Sequence, residues 1–292
     1  MNFPGYFKDN ILPDKIHNLN VSFNIDKLEE RYGGTAGNIA YNLSLLSLKS
    51  IIIGSVGKDF DKYKKYLEEK NIDVSGIKIA ENDFTAAAYI ITDKANNQIT
   101  GFHMGAMAID TDYEIKDGDL LIISPGNIHD MLRYQDQAQK INMPYIFDPG
   151  QTLPFFQPEE LKALVRGAKV LITNDYELDL VIKKTGYTKE QILEIVEILV
   201  TTKGENGSTI QKKNVTINIP CAKTEHVLDP TGAGDAYRAG FIYGLLNNQE
   251  LEICGQLGAV SAVYAVEKYG TQEHEYNMAE LNERYKKNLI KK

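Results

Sequence analysis

An α/β fold built on a mainly parallel sheet is what this sequence predicts, and two observations carry the prediction. Short β-branched and aliphatic runs recur along the chain, and amphipathic stretches at helical spacing separate them. Strands alternating with helices imply right-handed βαβ units with helices on both faces of the sheet. Ile51-Ile52-Ile53, Leu120-Leu121-Ile122-Ile123, Tyr145-Ile146-Phe147 and Val170-Leu171-Ile172 read as strands buried on both faces. Phe60, Tyr63, Tyr66 and Leu67 share one helical face; Met131, Tyr134 and Ala138 share another. Residues 84–103 break the rhythm, with two extended segments around a polar turn at 94–97, which is a hairpin pattern. Residues 19–32 also read as extended, with Val21, Phe23 and Ile25 in alternation. These two β segments, about 15–33 and 84–104, are expected to pair into a small sheet projecting from one domain spanning 1–292. They are either surface excursions or a lid over a site. Leu251–Val266 is apolar on most sides, hence a core helix, and Met278, Leu281, Tyr285 and Leu289 mark a closing amphipathic helix with a basic end.

Charge and composition narrow the class. Lys+Arg 32 against Asp+Glu 40 leaves a net −8, which argues against nucleic acid or an anionic membrane as partner. No apolar run approaches the roughly 18 residues of a membrane span, and the first ten residues lack a secretory pattern. The 2 cysteines, Cys221 and Cys254, build no disulfide framework and read as plain buried side chains. The histidines lack metal-ligand spacing. A cytoplasmic enzyme or binding protein is the expectation.

The strongest local signal is Asp229-Pro230-Thr231-Gly232-Ala233-Gly234-Asp235-Ala236, followed by a helical run. Glycines flanking a small residue at a helix entry let backbone N–H groups cradle a phosphate or oxyanion. Asp235 sits in the first turn, where a carboxylate ordinarily caps the helix. Beside a phosphate cradle it makes sense as a base toward an acceptor hydroxyl. A capped helix after a glycine-rich turn accounts for the local pattern equally well. Gly33-Gly34-Thr35-Ala36-Gly37-Asn38 also opens a helix, without dinucleotide-binding spacing, and Asn38 faces inward on the first turn. Asn174 and Glu177 follow a strand, three apart on one helix face. They suit either a cap or a hydrated Mg²⁺. Thr202, Lys203, Gly204, Glu205, Asn206 and Gly207 follow another strand and suit either an adenine-nucleotide loop or a plain hairpin.

In this order, GGTAGN (33–38), TNDYE (173–177), TTKGENG (201–207) and DPTGAGDAYRAGF (229–241) resemble the ribokinase-like (PfkB) family of ATP-dependent sugar and nucleoside kinases. The likeness runs along essentially the whole chain. Within that family, FPGYFKDNILPDKIHNLNVSF (3–23), TNDYELDLVIKKTGY (173–187) and YGTQE (269–273) look most like bacterial, actinobacterial-type adenosine kinases. The resemblance implies a ribokinase-like α/β fold with a β-sheet lid. It implies transfer of the ATP γ-phosphoryl group to the 5′-hydroxyl of adenosine, a purine-salvage reaction. Asp235 matches the family's catalytic base, and Gly232, Ala233 and Gly234 match its anion hole. Asn174 and Glu177 match the element that positions Mg²⁺ through water and the ATP phosphates. Thr202, Lys203, Gly204, Glu205, Asn206 and Gly207 match the nucleotide loop, with Gly234 also against ATP. Gly34 and Asn38 match ribose-binding positions, Ser22 and Phe102 match lid positions lining the nucleoside pocket, and Gln151 reaches the base or ribose. Family members often need K⁺, and Asp229 and Thr231 sit where that ion's site begins. The nucleoside-kinase branch also implies a homodimer through the lid, which no sequence feature itself shows.

Two departures stand out. Members open with a strand ending in an Asp that grips the ribose, whereas Met1-Asn2-Phe3-Pro4-Gly5 looks like the segment just after it, so that first strand is expected to be missing. Ala86-Ala87-Ala88 sits where relatives carry a lid aromatic, leaving Tyr89 or Tyr32 to compensate. Two rivals remain: a family kinase for a sugar or another nucleoside, and a non-catalytic nucleoside-binding relative.

Overall fold

Apolar side chains alternating between the two faces of one sheet build the core of the computed structural model, which describes residues 1–11, 13–95, 97–224 and 226–289. The first half of the chain forms α1 (Thr35–Leu45), β1 (Ile51–Gly57), α2 (Asp61–Glu69), β2 (Asp73–Ala80), β3 (Ala87–Thr92), β4 (Gln98–His103), β5 (Leu121–Ile123), α3 (Ile128–Lys140) and β6 (Tyr145–Phe147). The second half forms α4 (Pro158–Val165), β7 (Val170–Asn174), α5 (Asp175–Thr185), α6 (Lys189–Ile195), β8 (Ile198–Thr202), β9 (Ser208–Lys212), β10 (Val215–Ile219), α7 (Ala233–Leu246), α8 (Leu251–Val266) and α9 (Met278–Leu289).

The main sheet has the order β10-β9-β8-β7-β6-β5. It is parallel from β5 to β8 and antiparallel from β8 to β10. Ile146, Val170, Ile172, Ile198 and Val200 point to one face, against Ile39, Phe241 and Val260 of α1, α7 and α8. Tyr145, Phe147, Leu171 and Leu199 point to the other, against Met131, Leu161, Val181 and Ile192 of α3 to α6. The expected α/β architecture, a mainly parallel sheet between helices, is therefore the one observed. Among the described residues, no helix is long and apolar enough to cross a membrane.

Not every apolar run is buried on both faces. β1 pairs only with β2, as a separate two-stranded parallel sheet, and β5 ends the six-stranded one. Ile51 is accordingly 48% exposed, and Leu121 and Ile122 are half-buried. Strands at sheet edges lose the neighbour that would cover them.

The hairpin forms as expected, with β3 and β4 antiparallel from Ala87↔His103 to Thr92↔Gln98. Its 94–97 turn contains Asn96, which lies outside the described residues. Residues 19–32 do not form the expected strand. Their backbone is irregular apart from a single bridge, Asn2↔Lys27, and Asn2 also bridges to Thr92. The chain's first residues lie along β3 instead, where the Met1 ammonium donates to the Ile90 carbonyl at 3.0 Å. The alternating side chains of 19–32 serve a different purpose. Phe23 packs against Phe3 and Phe7 with ring centroids 4.8 and 5.1 Å apart, so an aromatic cluster replaces a ladder. Cys221 is another departure, since it is exposed; Cys254 is buried as expected.

Candidate active site

Residues 229–235 turn the chain into α7 without any side-chain cap. Gly232 occupies the N-cap with φ +81°, a left-handed conformation that glycine adopts without strain. The N–H groups of Gly234 and Asp235 find no acceptor among the described residues. Unpaired amides at the positive end of a helix form an anion cradle. Asp235, the third residue of α7, turns away from those amides. Its Oδ2 accepts a hydrogen bond from Asn38 Nδ2 at 2.7 Å. No side chain caps this helix entry, and Asp235 is an acid in its first turn. Burial pushes the Asp235 carboxyl up to about 6, against the nearby Arg238 charge and the Asn38 bond, which lower it. At neutral pH it is ionised yet poised near the working range of a base.

Asn38 is held from both sides. It stands in the first turn of α1, whose N-cap is Gly34 at φ +85°. Gln272 Nε2 donates to Asn38 Oδ1 at 2.9 Å and lies 2.6 Å from the Tyr63 hydroxyl. That hydroxyl in turn donates to the Gly33 carbonyl at 2.9 Å. With Oδ1 occupied, the amide has its NH₂ toward Asp235. Sequence reasoning missed Gln272 and Tyr63 as site residues; the only signals were the YGTQE stretch and a helical aromatic stripe. It also missed Asp148 and Arg238. Arg238 Nη2 donates to Asp148 Oδ1 at 2.7 Å, and its Nε lies 2.5 Å from Oδ2 but out of line for a hydrogen bond. Asp148 follows β6 directly. Its signal was an acid at the carboxyl end of a buried strand; that of Arg238 was a cation in an otherwise apolar helical run.

The carboxyl ends of β6, β7 and β8 lie side by side, where ligands gather in open α/β sheets. Asn174 and Glu177, at the end of β7, form a reciprocal capping box. Asn174 Oδ1 accepts from Glu177 N at 2.7 Å, and Glu177 Oε2 accepts from Asn174 N at 2.8 Å. Glu177 Oε1 is left without a protein partner among the described residues, and burial pushes this carboxyl up. One free oxygen fits a magnesium ion that keeps its waters, rather than a ligand cage. No cluster of three or more His, Cys, Asp or Glu suited to a metal occurs among the described residues.

Thr202 to Gly207 make the β8–β9 hairpin loop, in which Lys203 N donates to Gly207 O at 2.8 Å. Asp229 is tied to the backbone on either side of the site. Its two oxygens accept Thr231 N at 2.9 Å and Gly270 N at 3.0 Å, while Arg31 donates to the adjacent Tyr269 carbonyl. Thr231, an exposed residue, enters this network through its backbone N–H. Gln151 lies just past Asp148 and is exposed. Ser22 and Phe102 are exposed too, Phe102 at 57%, and neither hydrogen-bonds to the Asp235 cluster. Tyr32 is already stacked on Tyr63, at 4.5 Å and 7°, and Tyr89 is exposed.

Residues 9–277 match the model of the pfkB family carbohydrate kinases. The chain belongs to that family. A nucleoside kinase of Methanocaldococcus jannaschii is 34% identical over 281 residues, covering 95% of this chain and 93% of its own. The Burkholderia thailandensis nucleoside kinase in complex with inosine superposes with a TM-score of 0.89 at 33% identity, covering 99% of this chain and 94% of that one. The same kinase in complex with ADP-inosine gives 0.86 at 35% identity, covering 99% and 92%. The ribokinase-like fold expected from the motifs is thereby shown. The likeness is to nucleoside kinases at large, where the sequence motifs had suggested adenosine kinases in particular.

Proposed function

We propose that this pfkB-family chain is an ATP-dependent nucleoside kinase that phosphorylates the 5′-hydroxyl of a purine nucleoside, with adenosine the expected acceptor. The observation that carries the reading is Asp235, a half-buried carboxylate at an uncapped helix entry, bonded to Asn38 instead of to its own helix. Oδ2 is held by Asn38, which leaves Oδ1 for the acceptor hydroxyl. As the acceptor's hydroxyl oxygen bonds to the γ-phosphorus and the bond from phosphorus to the ADP oxygen breaks, Asp235 takes the hydroxyl proton. The free amides of Gly234 and Asp235, beyond the Gly232 turn, would face the charge that develops on the transferring group, whereas the Ala233 amide of the expected anion hole already donates to the Pro230 carbonyl at 3.3 Å. Magnesium, when bound, neutralises donor phosphates, and Glu177 with Asn174 would hold its hydration shell. The loop from Thr202 to Gly207 would take the nucleotide. Gly34 and Asn38 would take the ribose, with Gln151, Ser22 and Phe102 around the base once the β3–β4 hairpin closes as a lid. A dimer through that hairpin belongs to the same reading.

The inosine complex of the Burkholderia kinase supports a nucleoside over a simple sugar. Purified protein with MgATP and a panel of adenosine, inosine, ribose and fructose tests the acceptor. Nucleosides should turn over fastest; faster turnover of ribose or fructose sinks the reading. Asp235→Asn should lower kcat by roughly 10²- to 10⁴-fold while nucleoside binding remains measurable by calorimetry. Undiminished turnover would remove Asp235 from the mechanism.

A further inference from the structure

The residue closest to Asp235 in charge terms is one that the proposed reaction does not use. Arg238 stands three positions further along α7, on the same helix face. It is only 9% exposed, and its partner Asp148 is 1% exposed. A Cβ added at Gly234 would lie 2.7 Å from Arg238 Nη1, so the guanidinium packs directly beneath the anion cradle. Burial by itself would disfavour its charge, but Asp148, Asp235 and Glu177 together hold it above its ordinary value. Such a pair is a poor source of stability, since desolvating two ions offsets their attraction. Its position suggests a different use. Asp148 stands at the carboxyl end of β6 and Arg238 in the first turns of α7, so the pair ties the helix that carries the base to the sheet edge that carries the site.

We infer that Arg238 and Asp148 are positioning residues that set the ionisation of Asp235 and the placement of the cradle, acting through α7 and without touching substrate. This rests on Asp235 being the base. The groups facing Asp235 are Arg238 from its own helix, Asp148 from the end of β6 and the neutral Asn38 amide from α1; Glu177, from α5, faces Arg238. Arg238 favours the ionised carboxylate, and Asp148 opposes it. The two partners therefore act on Asp235 with opposite sign.

The test is a titration of the Asp235 carboxyl by ¹³C NMR, its resonance assigned by its loss in Asp235→Asn, alongside the pH profile of kcat/KM. Arg238→Met should raise the midpoint by about one pH unit, and Asp148→Asn should lower it. Arg238→Lys keeps the charge but not the two-pronged contact, so it should leave the midpoint near that of the wild type while kcat falls. That variant and Asp148→Asn decide the matter if Arg238→Met does not fold. Midpoints that stay put, or move the same way in Arg238→Met and Asp148→Asn, overturn the inference. A wild-type kcat/KM limb that fails to follow the NMR midpoint overturns the assignment of the base instead.

Discussion

His274 shows how single residues of this chain answer to partners distant in sequence. It is 1% exposed, with Nε2 2.8 Å from Asn42 Oδ1 and Nδ1 without a partner among the described residues. Burial lowers its pKa to about 4, from an ordinary 6.5. A depressed histidine favours the folded state only while neutral. Its contribution is complete above pH 6.5 and is lost as pH falls toward 4. From pH 7 to pH 5 the unfolding free energy should drop by roughly 1–2 kcal/mol on this account. Urea melts at the two pH values measure it, and His274→Gln should flatten the dependence; an equal drop in the variant would exclude His274 as its source. Asp235 and Asn38 were visible as candidates because each stands in a glycine-rich helix entry. Gln272, Asp148 and Arg238 were not, because their roles depend on partners 234 and 90 positions away. No local pattern encodes that pairing.

Among elements, the contact between α7 and α8 depends on the absence of side chains. A Cβ at Gly240 would stand 2.5 Å from the Leu257 carbonyl and 2.6 Å from Ser261 Oγ. Gly240→Ala gains helix propensity yet forces the helices apart, for a net loss of about 1–3 kcal/mol. Because α7 carries Asp235, catalytic rate should fall along with the melting temperature. A variant as stable as the wild type would show that the helices separate freely. Helical and strand periods were readable wherever the pattern met a single environment, as in β6, β7 and β8. They misled at 19–32, where Val21, Phe23 and Ile25 alternate without forming a strand and Phe23 joins an aromatic cluster with Phe3 and Phe7.

For the whole molecule, the site is assembled from the carboxyl ends of β6, β7 and β8, the entries of α1 and α7, and the loop at Gln272. Ligands bridging those parts should stabilise the fold as a unit. Saturation at about 100-fold over Kd adds roughly 2.7 kcal/mol, so nucleoside and ADP together should raise the melting temperature by several degrees. The rise should exceed that from ribose at equal concentration. Equal shifts from ribose would argue against a nucleoside site.

The sequence by itself determined the α/β class, the glycine-rich helix entries and the acid beside one of them. Those features are local: a period of two or 3.6, a positive φ, a carboxylate within one turn. The tertiary structure alone decided that Asp235 is a half-buried carboxylate bonded to Asn38, that Asn38 is oriented by Gln272, and that Arg238 is matched by Asp148. It likewise decided that Asp229 accepts the backbone amides of Thr231 and Gly270. Each of these depends on which groups burial brings together and which of their bonds are already taken, and that is fixed only when the chain has closed on itself.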